Sequence, residues 1–240
     1  MAPTLVLLHG FTHTGRSWDP VIAALDERYL AIAPDIRGHG RAGDQEPASL
    51  AAVIDDLASL PAPMFTLAGY SMGGRIALHA ALALPDQVRR LILIGASPGI
   101  ADPDQRAARR RTDERLADEA ESEGIEQFAR RWATTAVLAG QPPDVQAATH
   151  ADRLRSTATG LARALRGLGT GALPPLWDRL GELAMPVTLV AGERDQTFRA
   201  IAAQMARAIP DAKIVVVPKS GHAVHLEAPD AVAAALSEHR

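Results

Sequence analysis

Ser71 lies in "LAGYSMGGR" (67–75), flanked by Gly69 and Gly73, at the point where an apolar run ends. A Gly-x-Ser-x-Gly spacing lets a strand turn sharply into a helix with the serine held at the apex in a strained conformation. That geometry lifts the hydroxyl clear of the backbone and aims the helix N-terminus at whatever reacts there. The plainer reading is a strand-to-helix turn whose serine caps the helix. A catalytic serine also needs a base, an orienting acid and an oxyanion site.

Two later stretches supply partners in the order serine, acid, histidine. "VAGERDQTF" leaves an apolar run and offers Asp195, with Glu193 as the competing acid and a helix cap as its other use. "VVVPKSGHAVH" offers His222, with His225 as the competing base. The two histidines could also form a metal pair at i, i+3, but no third ligand lies nearby. "LLHGF" ends the first apolar run, so a loop there can contribute the backbone N–H of Phe11, beside that of Met72 after the serine, to an oxyanion hole. His9 reads as a residue that holds this loop, and "PDIRGHG" (34–40) as scaffold.

The elements that must position these groups follow from hydrophobic pattern. Apolar runs at 4–9, 29–35, 64–70, 88–96, 186–192 and 212–218 alternate with helical patterns at 17–27, 49–59, 73–84, 197–208 and 229–239. Near-continuous apolar strands alternating with helices predict an α/β fold, a mostly parallel sheet of about six strands covered on both faces. The rhythm breaks between about 98 and 182, where the pattern is helical throughout, at 103–122, 125–138, 143–166 and 174–180. The expected organisation is therefore a core of 1–97 and 183–240 with 98–182 as a helical cap. Such a cap covers the C-terminal strand ends, where open α/β sheets bind ligands.

The chain has 240 residues, 47% of them hydrophobic, enough for one sizeable core. Absence of cysteine excludes disulfides and thiolate metal sites. No apolar run approaches the ~18 residues of a membrane span, and no signal-like segment opens the chain, so the expected location is cytoplasmic. A net charge of −3 and the lack of a nucleic-acid-binding motif argue against nucleic-acid or membrane partners. Oligomeric state is left open.

"HGF", "DIRGHG", "GYSMGG" and "SGHAVHLEAP" together resemble the α/β-hydrolase superfamily over nearly all of the chain outside the cap. "GYSMGGR", "RAARRRTDERLA", "LRGLGTGALPPLW" and "GERDQTFRAIA" are similar to a narrower family, the 2-succinyl-6-hydroxy-2,4-cyclohexadiene-1-carboxylate synthases of the menaquinone pathway. The resemblance implies a cofactor-free lyase whose Ser71, His222 and Asp195 remove a proton from a small anionic substrate so that pyruvate leaves. The chain departs from that family in "DIRGHG", in "QT" after Asp195 and in "WATTAVLA". An ester or enol-lactone hydrolase acting through an acyl-serine is the alternative enzyme, and a ligand-binding protein without catalysis is the alternative outside enzymes.

A polycarboxylate substrate calls for guanidinium groups. The resemblance implies Arg75, one helical turn past Ser71, and from the cap Arg109, Arg155 and Trp132, with Tyr70 as a further contact. Arginine supplies nearly all the positive charge, since Lys213 and Lys219 are the only lysines. Residues 98–182 also hold about as many acids as arginines, so most cap arginines should be solvated or paired. Trp132 shares a helix face with Phe128, so cap core is its other reading.

Overall fold

The computed structural model describes residues 2–237. Six strands form one sheet in the order β2-β1-β3-β4-β5-β6. They are β1 (Thr4–Leu8), β2 (Leu30–Ile32), β3 (Phe65–Tyr70), β4 (Val88–Ile94), β5 (Val187–Gly192) and β6 (Ala212–Val217), and every pairing is parallel. The helices are α1 (Asp19–Ala23), α2 (Leu50–Ala58), α3 (Met72–Ala83), α4 (Pro103–Glu123), α5 (Ile125–Trp132), α6 (Pro143–Arg153), α7 (Ala158–Leu168), α8 (Gln196–Ala208), α9 (Val224–Glu227) and α10 (Pro229–Ser237). The expected end of the last helix, 238–239, lies outside the described residues.

The central strands are buried on both faces, which is why their sequences do not alternate. One core layer joins Val6, Leu8, Leu67 and Leu91 of the sheet to Ile76 and Leu78 of α3 and Met205 of α8. The other joins Leu5, Leu7, Ala68 and Ile92 to Trp18, Val21, Val232 and Leu236. The sheet order reverses direction between β1 and β3, so the loops after β1 and β3 open beside each other at the C-terminal edge.

Three predicted helices are shorter than their patterns. The 17–27 segment reduces to a 3-10 turn at 15–18 and the five-residue α1. The 125–138 pattern stops at Trp132 and resumes as a 3-10 turn at 136–138. The 143–166 pattern breaks at 154–157, where Ser156 and Thr157 find other work. The Thr157 hydroxyl accepts the Gly160 N–H and caps α7, while Ser156 Oγ accepts the Gly40 N–H at 3.0 Å. Short hydroxyl side chains compete with the helix for backbone hydrogen bonds in this way.

Helices α4–α7 lie between β4 and β5 in the chain and dock on the loops after β1 and β2. Asp152 of α6 accepts the Thr14 backbone N–H at 2.9 Å and its hydroxyl at 2.5 Å. Arg153 Nε donates to Thr12 Oγ1 at 3.3 Å. Phe11 meets Phe128 and Trp132 edge-on at centroid distances of 6.2 and 5.0 Å.

Candidate active site

Ser71 joins β3 to α3 with φ 52° and ψ −109°, in the left-handed region that a non-glycine residue enters only under strain. The glycines make the turn sterically possible. A Cβ at Gly69 would strike the Gly73 backbone, and one at Gly73 would strike the carbonyls of Leu8 and His9 on the neighbouring strand. Helix α3 thus starts pressed against β1, and the serine stands above it.

His222 Nε2 lies 3.2 Å from Ser71 Oγ, and His222 Nδ1 lies 2.7 Å from Asp195 Oδ2. A carboxylate only accepts, so Nδ1 carries the ring proton and donates to Asp195. Nε2 is left with a lone pair for the Ser71 hydroxyl. Both competing residues lie elsewhere. Glu193 accepts the Lys219 backbone N–H at 2.9 Å. His225 is fully buried against Trp18 and Tyr70, and burial holds its ring well below the usual histidine range.

A cavity of about 280 Å³ opens over the serine. Its walls include Phe11, Tyr70, Met72, Arg75, Arg109, Trp132 and Phe198, with Ser71 and His222 at its base. Met72 is the first residue of α3, where backbone N–H groups have no partner within the helix. Phe11 follows β1 on the opposite wall. A larger cleft of about 810 Å³ opens at the other end of the sheet around Thr4, Leu30 and Arg89, and among the described residues no histidine or carboxylate lines it. Among the described residues, no group of three or more histidine and acidic side chains is placed to hold a metal ion.

Arg75 is buried, and its Nε has no hydrogen-bond partner. Burial, reinforced by the neighbouring Arg109, pulls its pKa down to about 10, so it stays charged at neutral pH. Among the described residues no carboxylate lies within ion-pair distance of it. Arg109 is held by Asp113 one turn along α4 at 2.7 Å, and Asp113 in turn accepts the Gly171 N–H at 3.0 Å. Two guanidinium groups therefore face one small cavity, and Asp113, bonded to Arg109, acts on Arg75 only from beyond ion-pair distance. Burial also pushes the Tyr70 phenol well above its usual range, so the wall beside Ser71 is neutral.

Arg155 does not reach this cavity and is a correction to the sequence expectation. It is half exposed on the outer side, 3.8 Å from Asp152, because α6 ends at Arg153 and the break rotates the next residues away. Arg153 takes the inward position instead, 1% exposed, with its Nη2 unpaired. Trp132 lines the cavity and also packs against the cap core beside Phe128, so both of its readings hold.

Sequence reasoning missed His13, Thr170 and Phe198 in the cavity wall. His13 was findable, since it shares the loop after β1 with Phe11. His9 plays the holding role expected of it. Its Nε2 accepts the Ile36 N–H and its Nδ1 faces the Gly10 carbonyl, both at 2.9 Å, tying the loops after β1 and β2 together.

Comparisons with known proteins agree with this architecture. Residues 5–235 match the Alpha/beta hydrolase family. A Bacillus subtilis (strain 168) protein, provisionally named as a 2-succinyl-6-hydroxy-2,4-cyclohexadiene-1-carboxylate synthase, is 36% identical over 94% of this chain and 85% of its own. The protein of that name from Enterobacter sp. (strain 638) is 34% identical over 98% of this chain and 91% of its own. The solved structure of MenH from S. aureus superposes with a TM-score of 0.93 at 32% identity, covering 98% of this chain and 92% of that one.

Proposed function

The chain belongs to the alpha/beta hydrolase family and, within it, to the 2-succinyl-6-hydroxy-2,4-cyclohexadiene-1-carboxylate synthases, and from that premise we propose that it eliminates pyruvate from a polycarboxylated cyclohexene. The observation that carries this reading is the buried Arg75, unpaired and one turn from Ser71, in the cavity that also holds His222. A neutral ester has no use for such a group, whereas a substrate carboxylate supplies the direct ion-pair partner that Arg75 lacks.

In this reading His222 takes the Ser71 proton, and the serine oxygen removes a ring proton beside a carbonyl of the substrate. The C–H electron pair forms the new double bond as the bond to the enolpyruvyl oxygen breaks, and the departing enolate takes up the proton held by His222 and leaves as pyruvate. Asp195 keeps the imidazole in the tautomer that accepts from Ser71 and stabilises its transient charge. The N–H groups of Phe11 and Met72 serve the oxyanion that develops on the substrate carbonyl. Arg75 and Arg109 bind carboxylates, Tyr70 and Trp132 complete the walls, and residues 98–182 act as the cap that keeps water out. Ser71 forms no acyl-enzyme, and the chemistry calls on no cofactor. Among the described residues no helix is long and apolar enough to cross a membrane, and a biosynthetic role on a small anion supports a cytoplasmic location.

The deciding experiment incubates the protein with the cyclohexene substrate and follows pyruvate release, with intact-protein mass spectrometry on the same samples. Pyruvate should appear without a covalent adduct. A stoichiometric burst on short esters with an acyl-Ser71 species, and no pyruvate, would replace the lyase by an ester or lactone hydrolase using the same three residues.

A further inference from the structure

The cavity wall contains a second histidine–carboxylate pair that the elimination does not use. His13, from the loop after β1, has its Nδ1 3.5 Å from Asp152 Oδ2. Asp152 comes from the last turn of α6, so the pair spans core and cap. The His13 ring is 2% exposed and lines the same cavity as Ser71 and His222. It stands edge-on to Tyr70 and to His225, at 6.0 Å from each, so its orientation is set on several sides.

The chemistry of this pair is determined by its partner. Asp152 already accepts two hydrogen bonds from Thr14. Burial alone would raise its pKa, but the hydrogen bonds from Thr14 and the nearby His13 ring outweigh that and hold it at about 2. Asp152 is therefore an anion at neutral pH, and although at 3.5 Å His13 Nδ1 forms no hydrogen bond to it, that charge favours the ring proton on the Nδ1 side. Burial, the largest influence, holds the His13 imidazole below the usual range despite the pull of Asp152. A neutral ring with its one proton on Nδ1 has only a lone pair on Nε2.

We propose that His13 is a specificity-determining residue, whose Nε2 faces the cavity as a hydrogen-bond acceptor for a hydroxyl on the substrate ring. A lone pair repels carboxylates, which Arg75 and Arg109 attract, so the cavity distinguishes the two kinds of oxygen by position. The inference rests on the proposed lyase reading, because that substrate and its product carry a ring hydroxyl beside carboxylates. Sites that hydrogen-bond a substrate hydroxyl reject analogues lacking it far more strongly than apolar pockets do.

The test compares two ligands by titration calorimetry: the product, 2-succinyl-6-hydroxy-2,4-cyclohexadiene-1-carboxylate, and 2-succinylbenzoate, the aromatic acid that loss of water from its ring would give. Both carry the same two carboxylates, and only the first has the hydroxyl. Wild-type protein should bind the product at least about tenfold more tightly, a difference of roughly 1.4 kcal/mol. His13→Phe should bring the two within about twofold by weakening the product alone. Nitrogen-15 spectra of the wild-type imidazoles should show His13 as the Nδ1–H tautomer, with Nε2 shifting on addition of product and not of 2-succinylbenzoate. That measurement decides the matter even if His13→Phe folds poorly. Equal wild-type affinities, a His13→Phe variant that still discriminates, or a ring protonated on Nε2 would each overturn the proposal while pyruvate release continued. Absence of both pyruvate release and binding would remove the lyase reading together with it.

Discussion

Asp195 holds His222 with one carboxylate oxygen and caps helix α8 with the other. Oδ2 faces His222 Nδ1 at 2.7 Å, while Oδ1 accepts the Phe198 backbone N–H at 3.1 Å. The two roles that compete on sequence grounds are thus performed together. The cap fixes the carboxylate on the helix, and the fixed carboxylate fixes the ring.

This double role separates two substitutions. Asn is as good an N-cap as Asp, so Asp195→Asn should leave thermal stability nearly unchanged. It can no longer enforce the Nδ1–H tautomer, and activity should fall by roughly 10⁴-fold. Asp195→Ala should lose activity similarly and also about 1 kcal/mol of stability with the cap. Calorimetric melting beside pyruvate-release kinetics reads both. Losses in Ser71→Ala, His222→Ala and their combination should be strongly non-additive. Normal turnover by His222→Ala would shift the role of base to another residue.

The strained backbone at Ser71 predicts a trade between stability and function. Glycine adopts φ 52° freely, so Ser71→Gly should recover about 1–3 kcal/mol of conformational strain. For a chain of this size each kcal/mol raises the melting temperature by about 2–4 °C. The variant should melt higher than wild type and release no pyruvate. A lower melting point would mean that the serine side chain contributes more to the elbow than its strain costs.

Arg75→Ala should cut kcat/KM on the polycarboxylate by at least about tenfold, or roughly 1.4 kcal/mol. Turnover of a small neutral ester, if any, should hardly change. Arg110→Ala and Arg155→Ala are the controls, since both side chains point outward, and their kinetics should match wild type. Rising salt should increase KM for the anion only slightly, because buried pairs are weakly screened. Equal losses on neutral and anionic substrates would return Arg75 to a purely structural role.

Buried histidines make the fold sensitive to acid. Burial is the main reason that His9 has its pKa lowered to about 4, and its Nε2 must stay unprotonated to accept the Ile36 N–H. The unfolded chain takes up the proton first, near pH 6.5. Stability contributed by His9 is therefore complete above pH 6.5 and is lost as pH falls toward 4. At pH 5 the loss from this residue is about 2 kcal/mol. Burial likewise lowers His79 to about 4, so it acts in the same direction. Urea unfolding at pH 7 and pH 5 should show the decline, and His9→Gln, whatever its stability at pH 7, should show a shallower one. An unchanged slope in that variant would rule out His9 as a source.

Local pattern was enough to read the strands, the order of the site residues and the elbow in the sequence. A parallel strand buried on both faces must be apolar throughout, and a strand-to-helix turn with no room for side chains must be glycine on both sides of Ser71. These are constraints between near neighbours, and a linear text records them. The resemblance also chose Asp195 over Glu193 and His222 over His225, but the physical reason for each choice lies in distances across the sheet edge, because the members of each pair are only two or three residues apart with equivalent chemistry. The helix break at 154–157 was hidden because Ser156 and Thr157 satisfy hydrogen bonds from Gly40, more than a hundred residues away, and from α7. That break buries Arg153 and leaves Arg155, expected at the cavity, half exposed. Likewise, nothing local in "HTG" pairs His13 with Asp152, which arrives from a helix of the cap. Packing between distant segments decides which side chain faces the cavity, and only the folded chain contains that information.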